Sequence, residues 1–161
     1  MSDVEPTPQA KVLTVSDGVA HGVRDDRSGR TLVEHLEAAG FEVVDHRVTA
    51  DGAEAVATVL VDMTAGFAGL VVSTGGTGFA PRDQTPEGTR AVVERDAPGL
   101  AEAMRLCNPL GRLSRGVAGI RGRSIIINTP GSTNGCVEQL DAVIDVLPHA
   151  LRLLADTDTT H

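Results

Sequence analysis

A chain of 161 residues fits one domain, and 41% hydrophobic residues are enough for a genuine core. With three Phe, no Trp and no Tyr, that core must be aliphatic, and aromatic stacking is not expected to dominate ligand recognition. A formal net charge of -8 argues against nonspecific binding to nucleic acid or to an anionic membrane, because both need a basic surface.

The chain opens acidic and polar (Ser2, Asp3, Glu5), without the basic and apolar regions of a secretory signal, and no run approaches the length of a membrane span. A cytoplasmic location is the expectation. Residues 1–10 read as a flexible leader, 11–155 as a single domain and 156–161 as a polar tail. Lys11 to Val15 is the first buried strand and runs into Ser16, Asp17 and Gly18. The charged stretch from Val19 to Ser28 follows as a loop, with Asp25 and Asp26 as solvated charges. Ser28 is positioned to cap a helix over Gly29 to Ala39, with Gly40 as its stop. Phe41 to Val48 forms a second strand nearer an edge, and a helix begins near Asp51 and continues through Ala65.

The run Gly69 to Val72 is the central strand. Thr85 and Pro86 then start a helix to about Asp96, and Pro98-Gly99 separates it from another over Leu100 to Cys107. Ser114 to Ile120 and Arg123 to Asn128 read as strands joined tightly at Arg121-Gly122. Beyond the loop Thr129 to Gly135, Val137, Leu140, Ile144, Leu147, Leu151 and Leu154 recur at helical spacing, with Pro148 kinking or splitting the helix. Strand and helix alternate over 11–96, which predicts βαβ units and a largely parallel sheet. Ligands of such sheets bind outside the carboxyl ends of the strands, near a switch in strand order.

The chemistry concentrates at Ser73 to Glu87, S-T-G-G-T-G-F-A-P-R-D-Q-T-P-E. Thr74, Gly75, Gly76, Thr77 and Gly78 bring backbone N–H groups and two hydroxyls to the end of a strand, and glycines let an anion approach the backbone closely. Five such residues alone describe an ordinary glycine turn; Arg82 and Asp83 add a cation for phosphate and a carboxylate for a metal or a proton. Neither a Walker-type phosphate loop nor a dinucleotide-binding glycine pattern is present. Ser16, Ser73 and Ser132 lie in no nucleophile elbow. His21, His35, His46, His149 and His161 lack metal-ligand spacing, and Cys107 and Cys136 are too few and too far apart for a disulfide framework or a paired-cysteine zinc site. If the second and central strands are neighbours, Asp51 and Asp83 overhang one cleft, and Mg²⁺ favours one or two carboxylates together with substrate phosphates. Asp51 reads equally as a helix N-cap, and Arg82 equally as the counterion of a nearby acid.

The stretch 74–87 resembles the molybdopterin-binding family of the MogA/MoaB type, molybdopterin adenylyltransferases and their relatives in molybdenum cofactor biosynthesis. The likeness extends to Val15-Ser16-Asp17, to Asp26-Arg27-Ser28-Gly29, to Ser114-Arg115-Gly116 and to Asn128-Thr129-Pro130-Gly131-Ser132. It implies an α/β three-layer sandwich with a mostly parallel central sheet flanked by helices, assembled as a homotrimer. It also implies Mg²⁺-dependent transfer of AMP from ATP to the terminal phosphate of molybdopterin, with a molybdate-insertion protein as partner. A non-catalytic pterin-binding or scaffold role within the same family is the alternative. On this resemblance Asp51 and Asp83 are the catalytic and metal-binding acids. Ser16, Asp17, residues Thr74 to Gly78, Arg82, Pro130, Gly131 and Ser132 are the substrate-binding positions. The family usually places Leu before its P-G-S and often Pro-Lys or Pro-Gly after it; this chain has Thr129 before it and Thr133-Asn134-Gly135 after it.

Overall fold

Two apolar runs buried at every position, Leu70–Thr74 and Ser124–Thr129, form the middle of a six-stranded sheet in the computed structural model, which describes residues 4–155. Strands covered on both faces need such continuous runs, and helices on both sides supply the cover. The strands in chain order are β1 (Gln9–Val15), β2 (Glu42–Thr49), β3 (Leu70–Thr74), β4 (Arg95–Asp96), β5 (Ala118–Arg121) and β6 (Ser124–Thr129). Their spatial order is β2-β1-β3-β6-β5-β4. The first four in that order are parallel, and β5 pairs antiparallel with both β6 and β4 at one side.

The seven α-helices of the described residues are α1 (Asp17–Ala20), α2 (Arg27–Ala38), α3 (Ala53–Thr64), α4 (Thr85–Val92), α5 (Pro98–Leu106), α6 (Thr133–Asp141) and α7 (Leu147–Leu154). Strand alternation divides the core into two layers. Ala10, Val12, Leu70, Val72, Ile125 and Ile127 face Leu32 and Leu36 of α2, Met104 of α5, Leu140 of α6 and Leu147 of α7. Leu13, Val15, Val71 and Ile126 face Val56, Leu60 and Met63 of α3 and Val92 of α4. The three-layer α/β arrangement expected from the sequence is present.

Several local expectations are corrected. Ser28 does not cap α2: the cap is Asp26, whose Oδ1 accepts from Gly29 N–H at 3.0 Å. Nor is Asp26 a solvated charge, since it also accepts from the Thr14 hydroxyl at 2.9 Å and pairs with His46 Nε2 at 2.9 Å. The residue before α3 is Gly52, so Asp51 is free of a capping role. The helix expected to reach Asp96 stops at Val92, because Glu94 N–H donates to Ile120 O and draws Arg95–Asp96 onto the sheet edge as β4. β1 starts at Gln9, so the last two residues of the expected leader pair with Glu42 and Val43. A short 3₁₀ turn, Pro109–Leu113, follows α5, and Pro148 sits in the first turn of α7, where the carboxyl-terminal stripe is split in two. The expected tail lies outside the described residues.

Second and central strands are not neighbours, since β1 lies between them. Both nonetheless end at the same carboxyl edge, because all three are parallel. Asn128 then ties this edge to the rest of the sheet. Its amide donates to the hydroxyls of Ser73 (2.9 Å) and Thr89 (3.0 Å), and its oxygen accepts from Val117 N–H (3.0 Å). Asn128→Ala removes all three bonds from a site 1% exposed. It is expected to lower unfolding free energy by about 1–3 kcal/mol, read by urea denaturation.

Candidate functional site

From β1 the chain crosses to β2 on one side and then returns past β1 to β3 on the other. The carboxyl ends of β1 and β3 therefore flank a switch point, where the two connections diverge and leave a crevice. A cleft of about 770 Å³ opens there, lined by Thr14 to Ser16, Arg24, Arg27, Asp51, Thr74 to Gly76, Asp83 and Gly131 to Thr133. A second cleft of about 630 Å³ lies on the other side of the glycine loop, lined by Thr77, Gly78, Leu110, Leu113, Asn134 and Gln139 among others. Gly76, Asp83, Gly131 and Ser132 line both. They form a ridge at which the two clefts meet.

The glycine loop is shaped by close backbone approach. Gly75 has φ +100°, and a Cβ there would stand 2.2 Å from Val15 O; Gly76 has φ +69°, and a Cβ would stand 2.2 Å from Thr85 Oγ1. Neither position tolerates another side chain without moving the backbone. Gly75 N–H donates to Thr129 O, whereas the N–H groups of Gly76, Thr77 and Gly78 donate to no other described residue. They remain available to an anion. The Thr74 hydroxyl, expected at the ligand, donates instead to Pro130 O at 2.7 Å and fastens the two ridge loops together. Thr129, the departure before P-G-S, is fully buried and donates its hydroxyl to Ser73 O at 2.8 Å. Ser132 caps α6 by accepting from Gly135 N–H at 3.0 Å.

The acids sit on either side of this loop. Asp51 Oδ2 accepts from Asp17 N–H at 2.9 Å, and Asp51 N–H donates in return to Asp17 Oδ1 at 3.1 Å. Asp83 Oδ2 accepts from Ala80 N–H at 3.0 Å. A Cβ on Gly76 would come within 3.2 Å of Asp51 Oδ1, and one on Gly78 within 2.9 Å of Asp83 Oδ2, so glycine keeps space open beside both carboxylates. No cluster of three or more His, Cys, Asp or Glu suited to a metal exists among the described residues. Two carboxylates facing an open, donor-lined cleft still fit Mg²⁺, which habitually completes its octahedron with substrate phosphate and water. Ser16 Oγ caps α1 by accepting from Val19 N–H. Arg82, left open between phosphate and a nearby acid, lies on the acid here: it donates to both Asp17 oxygens, at 2.6 and 3.1 Å, and to Asp51 O at 3.1 Å.

One residue to which the sequence assigned no role is Arg115. Its guanidinium donates to Gly78 O (2.8 Å), to Asp83 O (2.6 Å) and to both Glu87 oxygens (2.9 and 3.0 Å), while its own N–H donates to Thr77 O. It grips the glycine loop from behind. Arg24 and Arg27, read as plain loop charge, line the first cleft and supply cations beside its acids.

The family described as "Probable molybdopterin binding domain" matches residues 11–149. The chain belongs to this family. The molybdopterin adenylyltransferase of Helicobacter pylori strain J99 is 37% identical over 150 residues, covering 89% of this chain and 85% of that protein. The Escherichia coli K12 protein of the same name is 35% identical over 142 residues, covering 83% and 72%. Among solved structures, the molybdopterin biosynthesis enzyme MoaB of Thermus thermophilus superposes with a TM-score of 0.85 at 44% identity, covering 92% of this chain and 97% of that one. The matched region of this molybdopterin-binding domain contains the whole ridge, both acids and the Arg115 grip.

The ion pairs around the site respond to acid. The Arg82 guanidinium holds the Asp17 carboxyl below its ordinary value, against an opposing push from burial, and the Asp51 N–H adds to the lowering. The Arg115 guanidinium does the same for Glu87. A carboxyl depressed on folding stabilises the protein above its unfolded value and loses that contribution as pH falls through the folded one. The thermal midpoint is therefore expected to drop as pH falls below about 4. Glu87→Gln should lower the midpoint at neutral pH and make the acid decline shallower, as followed by circular dichroism across a pH series.

Proposed function

We propose that the protein transfers AMP from ATP to the terminal phosphate of molybdopterin, releasing pyrophosphate, as a step in molybdenum cofactor biosynthesis. The observation that carries this reading is the pair of clefts meeting at Gly76, Asp83, Gly131 and Ser132. A reaction between two anionic substrates needs them held on either side of one point, and family membership names the substrate class. An oxygen of the molybdopterin phosphate attacks the α-phosphorus of ATP. The new P–O bond forms as the bond from that phosphorus to the bridging oxygen breaks, and pyrophosphate leaves with the electron pair.

Such a transfer depends more on alignment and charge neutralisation than on a protein nucleophile. Arg24 and Arg27 in the first cleft favour the polyphosphate of ATP there. The N–H groups of Gly76 and Gly78 serve as donors to phosphate at the ridge, with Pro130, Gly131 and Ser132 closing the other side. Asp51 and Asp83 would hold Mg²⁺, which when bound offsets the polyphosphate charge and eases departure of pyrophosphate. The second cleft, with Leu110 and Leu113 beside Asn134 and Gln139, offers the mixed apolar and amide lining that suits a pterin. Assembly as a homotrimer, delivery of the product to a molybdate-insertion protein and a cytoplasmic location complete the reading. Among the described residues no helix is long and apolar enough to cross a membrane.

The test uses purified protein with ATP, Mg²⁺ and freshly prepared molybdopterin, following adenylylated pterin and pyrophosphate together. Magnesium-dependent formation of both is expected, with turnover reduced about a hundredfold or more in Asp83→Asn while the thermal midpoint is retained. Tight pterin binding without either product would leave a binding protein and withdraw the transferase reading.

A further inference from the structure

The two acids of the proposed site stand on loops that leave β2 and β3, strands separated by β1. Hydrogen bonding within the sheet therefore does not set their mutual distance directly. The residues flanking Asp83 do make direct contact with the segment around Asp51. On one side, Arg82 donates to Asp51 O at 3.1 Å and to the Asp17 carboxylate at 2.6 and 3.1 Å. Asp17 is in turn locked to Asp51 by reciprocal bonds, each backbone N–H on the other's carboxylate. On the other side, Gln84 Oε1 accepts from Ala53 N–H at 3.1 Å. Asp83 is thus bracketed by two tethers that land on residues 51 and 53.

We propose that Asp17 and Arg82, with Gln84 as the second tether, are positioning residues that fix Asp51 relative to Asp83, and that they do not bind substrate directly. This rests on the reading of Asp51 and Asp83 given above. The groups that form the bridge are engaged within it: both Asp17 oxygens accept from Arg82, and Asp17 Oδ1 also accepts from Asp51 N–H. Arg82 uses Nε and a shared Nη2 toward Asp17 and Asp51, with Nη1 lying outside the bridge. The Arg82 side chain is 66% exposed, so its placement comes from these partners and not from close packing. A phosphate taking the Nε–Nη2 edge of Arg82 would have to break the bridge that orients Asp51.

A double-mutant cycle separates positioning from contact. In Asp17→Asn, Arg82→Gln and the double variant, kcat for adenylyl transfer is expected to fall about tenfold to a hundredfold, the scale of a misplacement near 1 Å. KM for ATP should stay within about twofold of the parent, and the double variant should be no worse than the poorer single one, because both changes cut one bridge. Amide hydrogen exchange at Asp51, read by NMR, should accelerate in Arg82→Gln without ATP or pterin present, and free guanidinium should restore part of kcat in Arg82→Ala. Losses that multiply in the double variant, or that fall on KM, would show Arg82 and Asp17 touching substrate and would overturn the proposal; so would unchanged exchange at Asp51. If the parent protein makes no adenylylated product, the transferase reading fails instead, and the exchange measurement alone decides whether the bridge holds Asp51.

Discussion

A Cβ at position 75 would stand 2.2 Å from the carbonyl oxygen of Val15, and this exclusion organises the carboxyl edge of the sheet. Because Gly75 can lie directly against the end of β1, the loop leaving β3 folds over β1 and does not rise away from it. That brings Gly76 next to Asp51, which belongs to the far side of β1, and carries Arg82 within reach of Asp17. The Gly75 N–H is satisfied by Thr129 O, and the Thr74 hydroxyl by Pro130 O, so the loop from β6 is drawn into the same layer. Four parallel strands thus end in one interlocked surface. The clefts on either side of the ridge are consequences of that stacking.

Two arginines then define what the glycine loop can do. Arg115 pulls from behind on Gly78 O and Asp83 O while held by Glu87, and Arg82 pulls from in front on Asp17 and Asp51. A loop containing Gly75, Gly76 and Gly78 has much backbone entropy to lose on ordering, and charge-assisted bonds to carbonyls are a means of holding it. Removing either grip leaves the glycine conformations allowed but no longer enforced. The strongest donors in the neighbourhood are therefore committed to backbone and carboxylate partners, while Arg24 and Arg27 face the first cleft.

Much of this arrangement was legible in the sequence. Short, mostly β-branched apolar runs at 70–72 and 125–127, bounded by turn residues, fit strands buried on both faces, and the alternation with amphipathic stretches implied the parallel sheet. Convergence of Asp51 and Asp83 was legible for a reason more general than the one given for it. Their strands are not adjacent, but any parallel strands deliver their following loops to the same edge. What stayed hidden was partner choice. Asp26 read as loop charge because nothing local shows that Thr14 and His46, 12 and 20 residues away, complete its environment. Arg115 carried no signal of its grip on residues 77–87, since that depends on where the antiparallel β5 is laid down. Val92 ends α4 because of a bond to Ile120, a strand away, which helix propensity cannot foresee.

The departure at Thr129 shows how local identity and ligand chemistry come apart. A leucine at that place would be larger than the buried Thr129 and would leave Ser73 O without the hydroxyl that Thr129 supplies at 2.8 Å. Thr129 also offers its carbonyl to Gly75 N–H, the bond that seats the glycine loop on the sheet. The substitution therefore belongs to the fastening of β6 to β3 and does not alter what faces the cleft. After Ser132, Thr133 and Gly135 begin α6 where the family often has Pro-Lys or Pro-Gly, and the capped amino terminus of that helix now faces the first cleft. A helix amino terminus carries partial positive charge, so part of the electrostatic role that a lysine would play there is met by the backbone itself.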